Sequence, residues 1–177
     1  MNNDRRQFRF RVAAIILASA AALLLPLHSQ APQGRLLEKN PVMTRHAEGA
    51  FDVKTTPLTP DVALEGTLIG RYALVKQFHG DLEGTSKGEM LSSGEPGEGN
   101  AGYTAMEWVT GSLHGHKGIF ALQHFGVIDH GRQQLLVMVV PGSGSGELTG
   151  LAGTFTITIA DGKHSYSFDY TLTPPEQ

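Results

Sequence analysis

The sequence predicts an all-β protein: a single antiparallel eight-stranded up-and-down β-barrel preceded by an N-terminal signal helix. Three observations predict it. Apolar residues in the second half recur with period two, as half-buried strands require. Glycine pairs of hairpin type punctuate those segments, and glycine is abundant, at 22 of 177 residues. Between Val62 and Val140 the only proline is Pro96, inside the glycine-rich loop Ser92–Gly102. Excluding proline from so long a region fits continuous strand pairing with few edges.

The elements follow in order. Residues 1–31 read as an export segment. Arg5, Arg6, Arg9 and Arg11 form a basic start, and Val12–Leu25 is then apolar except for Ser19 before Pro26. Fourteen helical residues rise about 21 Å, short of the roughly 30 Å of a hydrocarbon core, so the run has the length of a signal sequence rather than a stable span. Asp4-Arg5-Arg6-Gln7-Phe8 is similar to the twin-arginine export motif. Ser29-Gln30-Ala31 offers small residues at a cleavage point, while Pro32 leaves cleavage, or retention as an anchor, open. The expected destination is periplasmic or secreted. Residues 32–45 read as a linker, 46–173 as the barrel and 174–177 as a tail.

Eight strands are expected: Ala50–Thr55, Leu64–Phe78, Gly80–Leu91, Tyr103–Leu113, Gly118–Asp129, Gln134–Val140, Thr154–Ala160 and Ser165–Leu172. The last two alternate most cleanly, with Phe155, Ile157, Ile159, Tyr166, Phe168 and Tyr170 on one expected buried surface. Asp161-Gly162 and His130-Gly131 are expected hairpin turns. Short sequential connections point to strands that pair in chain order and close on themselves.

Charge and composition exclude several functions. Without residues 1–31 the chain keeps 10 basic and 16 acidic residues, a net charge of −6 with neutral histidines. An acidic domain without a basic stripe argues against nucleic acid and anionic membrane surfaces as partners. There is no cysteine, which removes disulfides, thiolate metal sites and cysteine nucleophiles. The partners left are a small apolar molecule and, as a homo-oligomer, a second copy of the chain.

Candidate chemistry is sparse. Lys76 shares parity with Tyr72, Leu74 and Phe78. It either reaches water at a rim or is buried in the lumen. If it is buried it needs a carboxylate, Glu107 ahead of Glu89. In Gln123-His124, side-chain alternation turns one residue inward and the other outward. Tyr103 could add a phenol to the same lumen. Lys76, Glu89, Tyr103, Glu107, Gln123 and His124 are therefore the candidate ligand-binding residues. No catalytic residue is identified. His114-x-His116 has a metal-site spacing but reads as a hairpin turn in water, and no cofactor or metal is expected. Pro141–Gly146 lacks the Gly-Lys-Ser/Thr ending of a phosphate loop, and no elbow positions Ser143 or Ser145 as a nucleophile.

Five segments together resemble the bacterial family known as domain of unknown function 3224: Gly70–Leu91, Ala101–Leu113, Phe120–His124, Val139–Leu148 and Asp161–Tyr170. The resemblance covers about His46 to Leu172. It implies a barrel like that of allene oxide cyclase and no particular activity. Two function classes follow. One is a non-catalytic barrel that binds a small molecule. The other is a barrel enzyme of the cyclase, isomerase or dirigent type acting on a small apolar substrate. A filled barrel would sink both. Convergence of Lys76, Glu107 and His124 on one spot of a cavity would favour catalysis.

Overall fold

The computed structural model describes residues 43–58 and 69–173. Within them lie β1 (Arg45–Leu58), β2 (Ile69–Gly80), β3 (Leu82–Glu95), β4 (Asn100–Leu113), β5 (His116–Asp129), β6 (Arg132–Val139), β7 (Ser145–Gly146), β8 (Leu151–Ala160) and β9 (Lys163–Leu172). A 3₁₀ turn at Pro96–Glu98 joins β3 to β4. The expected export helix, most of the linker, the start at Leu64 and the tail after Thr173 lie outside the described residues.

All pairings are antiparallel, in the order β4-β3-β2-β1-β9-β8-β6-β5, and β4 pairs with β5 to close the ring. Eight strands thus form a barrel in chain order, while the two-residue β7 only bridges Gly118 and Ile119 of β5. Hairpin chemistry explains the tight turns. Asp161-Gly162, His130-Gly131 and His114-Gly115 all have positive φ, as a two-residue type I′ turn demands.

Alternation along each strand divides lumen from outer wall. On β4, Ala105, Glu107 and Val109 are buried while Met106 and Trp108 between them are exposed. The lumen is not filled evenly. At the end formed by the starts of β1, β3, β5 and β8, an aromatic and aliphatic cluster seals it. Phe168 stacks on Phe155 (centroids 4.0 Å apart) and on Tyr170 (5.1 Å), with Phe120 near-parallel to it at 6.4 Å. Leu82, Leu113, Leu122, Leu148 and Leu151 complete the plug, each at most 2% exposed.

Among the described residues no such plug closes the opposite end, and a seam between two strands lies there. β6 and β8 pair only at Val137↔Phe155 and Met138↔Thr154. Nearer the open end the two strands have no ladder between them. Ile159, expected in the buried surface with Phe155, Tyr166, Phe168 and Tyr170, has the expected parity but is 64% exposed beside this seam. Ile157 is half-buried. The alternation therefore reads correctly, and the burial it implies fails only where the barrel parts. The outer wall of β4–β6 also carries exposed apolar side chains, among them Met106, Trp108, Phe125 and Leu136.

Candidate functional site

Four polar side chains meet in the lumen between the plug and the open end: Lys76 from β2, Ser86 from β3, Glu107 from β4 and His124 from β5. All are at most 6% exposed. Register brings them together. Lys76 lies opposite Ser86, and Glu107 lies opposite Gly88, whose missing side chain leaves the carboxylate room. A Cβ at Gly88 would sit 2.6 Å from the Glu107 Cβ.

Glu107 is the hub. Its Oε1 accepts from Lys76 Nζ at 2.6 Å and from His124 Nε2 at 2.8 Å. Its Oε2 accepts from the Ser86 hydroxyl at 2.5 Å. Lys76 Nζ also lies 5.1 Å from the Phe51 ring centroid and 5.9 Å from that of Phe78, within cation–π reach. Burial pushes the Glu107 pKa up. The His124 hydrogen bond and the Lys76 charge outweigh it and bring the value down to about 2. An ionised carboxylate only accepts, so His124 carries a hydrogen on Nε2.

That depression has a sign for stability. With a folded pKa near 2 against the usual 4.5, Glu107 stabilises the fold fully above the unfolded value. The contribution is lost as pH falls through the window between the two. The shift corresponds to on the order of 3 kcal/mol. Denaturant melts at successive pH values are expected to show this loss, and in Glu107→Gln the corresponding acid-dependent step should be absent.

Between the cluster and the open end lies a cavity of about 420 Å³. Its walls include Tyr72, Met90, Ser92, Tyr103, Gly126, Gln133, Leu135 and Ile159. Tyr103 lies over Gly126, where a Cβ would come 2.1 Å from its ring. Tyr72 folds back over Gly70 in the same way. Burial first, and the Glu107 charge second, hold the Tyr103 hydroxyl above the usual phenol range, so it remains a donor. The ion cluster does not line this cavity. Its residues lie at deeper inward positions: His124 next below Gly126, and Glu107 below Ala105, which itself follows Tyr103.

Of the six candidate residues, the structure brings Lys76, Glu107 and His124 into contact and places Tyr103 on the cavity wall. Glu89 and Gln123 are not part of the site. Glu89 faces outward, where Arg71 binds its carboxylate through Nε at 2.9 Å and Nη2 at 3.1 Å and lowers its pKa. The inward parity of β3 is that of Ser86, Gly88 and Met90, which puts Glu89 on the other face. Gln123 is exposed on the outer wall opposite Met106 and Met138. Ser86 and Tyr72 are site residues that sequence reasoning did not single out. Parity with Lys76 points to Tyr72, but nothing local marks Ser86. His114 is tied by Nδ1 to the Tyr170 hydroxyl at 2.8 Å, at the sealed end.

Fold and site together define a class: a closed eight-stranded barrel, plugged at one end, with a cavity at the other above a buried ion cluster. Residues 47–170 match the family described as "Protein of unknown function (DUF3224)", and the chain belongs to that family. A crystal structure of a DUF3224 protein of unknown function from Shewanella oneidensis MR-1 is 47% identical, with a TM-score of 0.70. The match covers 75% of this chain and 99% of that one. No curated protein matches the chain.

Proposed function

We propose that this protein is an exported, non-catalytic barrel that binds one small molecule in the open-end cavity. The observation that carries the reading is the contrast between the two ends: a dense aromatic plug on one side and a cavity of about 420 Å³ on the other. A cavity of this size, mostly apolar with a few polar groups, suits a small ligand.

The second reading, a barrel enzyme of the cyclase, isomerase or dirigent type, is favoured by the convergence of Lys76, Glu107 and His124. Against it stands how they converge. Both Glu107 oxygens accept from its three neighbours. Its pKa of about 2 makes it a feeble base. The cluster also lies below the cavity wall rather than in it. A cluster that ties β2, β3, β4 and β5 together and holds a ligand floor in place is a better account of it than a proton carrier.

Native mass spectrometry of the protein purified from its own cells tests the binding reading. The expected result is a discrete added mass that denaturation releases, and that Leu135→Trp, which fills the cavity, abolishes. Only the bare chain in both proteins would refute it. Export rests on residues 1–31. Replacing Arg5 and Arg6 together with lysine is expected to block it, as the twin-arginine route requires. Unchanged export would place the protein on the general pathway, and wild-type protein retained in the cytoplasm would end the export reading.

A further inference from the structure

The chemistry of the cavity wall narrows the ligand class. This step rests on the binding reading above. Among the described residues lining the cavity there is no lysine, arginine or histidine, and Glu95 at the mouth is the single charged one. The Glu107 charge beneath is matched by Lys76. An anion entering this space would lose water and gain no counter-charge, which costs affinity. One wall is soft and aromatic, with Tyr72, Tyr103 and Met90. The facing side, along the β6–β8 seam, presents Leu135 and Ile159. Flat apolar molecules fit between such surfaces through ring and sulfur contacts. Neither phenol hydroxyl has a hydrogen-bond partner among the described residues. Both are therefore available to a ligand.

We infer that the cavity takes an uncharged, flat aromatic molecule bearing a hydroxyl or carbonyl group that Tyr72 and Tyr103 read by hydrogen bonding. The tyrosines stand on β2 and β4, either side of β3, and both line the cavity, Tyr72 folded over Gly70 and Tyr103 over Gly126. A carboxylate in place of that group meets Glu95 at the entrance and no cation inside.

The test is equilibrium binding of three probes to the full-length protein at neutral pH: naphthalene, 2-naphthol and 2-naphthoate. The expected result is that 2-naphthol binds about tenfold or more tighter than naphthalene, one to two good hydrogen bonds' worth. It should also bind at least tenfold tighter than 2-naphthoate. Tyr72→Phe and Tyr103→Phe together are expected to erase the advantage over naphthalene while leaving naphthalene binding unchanged. That pattern excludes mere loss of folding. If 2-naphthoate binds as tightly as 2-naphthol, or the phenylalanine pair leaves the advantage intact, the inference is overturned and the binding reading survives. If none of the three probes binds while native mass spectrometry still shows a ligand, the aromatic class is wrong. If no probe binds and no ligand is carried, the binding reading fails as well.

Discussion

Lys76→Met is expected to destabilise the barrel by about 3–5 kcal/mol, the usual cost of breaking a buried ion pair from one side. The methionine keeps the apolar stem and loses the ammonium, with its contacts to Glu107 and to the Phe51 and Phe78 rings. Glu107 would then hold an ionised carboxylate in the lumen with only Ser86 and His124 as donors. Adding Glu107→Gln removes the stranded charge and should recover part of the loss. The four proteins form a double-mutant cycle whose coupling term measures the pair directly. Urea denaturation gives the values. A neutral Lys76→Met would mean that the ammonium is solvated, against a side chain 6% exposed and 2.6 Å from Glu107.

Phe168→Ala is expected to cost about 3–5 kcal/mol, the range for truncating a fully buried aromatic. Phe168 is 0% exposed and stacks on Phe155 and Tyr170 inside the plug, so the vacated space cannot collapse without moving both neighbours. Thr156→Ala, one strand away on the outer face, should stay within about 0.5 kcal/mol. Thermal melts of the two variants would reveal a register error at once, because a one-residue slip exchanges the two faces. The large loss should leave the open-end cavity unaltered, since Phe168 lies at the other end.

Much of this architecture is legible in the residues. β8 and β9 alternate without a break because one face of each meets the lumen and the other meets water. Asp161-Gly162 marks the β8–β9 turn and His130-Gly131 the β5–β6 turn because only a few residue types accept positive φ. Parity puts Lys76 on the face of Leu74 and Phe78. Whether it reaches water at a rim or lies buried there is decided by its depth along the barrel, which parity does not carry. Its partner could not be fixed by parity alone. The Lys76–Glu107 contact spans β2 to β4 across a glycine, and depends on the register of two ladders at once. β3 hid its own parity, because Gly84, Gly88, Ser86 and Ser92 offer no apolar stripe to separate Glu89 from the lumen. In β5, Ala121 and Phe125 interrupt the contrast between faces, so Gln123 and His124 looked equivalent. The β6–β8 seam is a property of barrel closure rather than of any local segment. No pattern in Gln134–Val140 or Thr154–Ala160 announces that only two residue pairs join them.

Where a ligand sits relative to the ion cluster separates binding from catalysis, and a crystal structure of the protein purified from its own cells tests that most directly. The predicted result is density for a small molecule between Tyr72 and Tyr103 on one side and Leu135 and Ile159 on the other. The contacts of Glu107 with Lys76, Ser86 and His124 should be unbroken beneath it. A ligand bonded to Lys76, Glu107 or His124 would contradict the binding reading in favour of catalysis, and side chains collapsed into an empty cavity would contradict both.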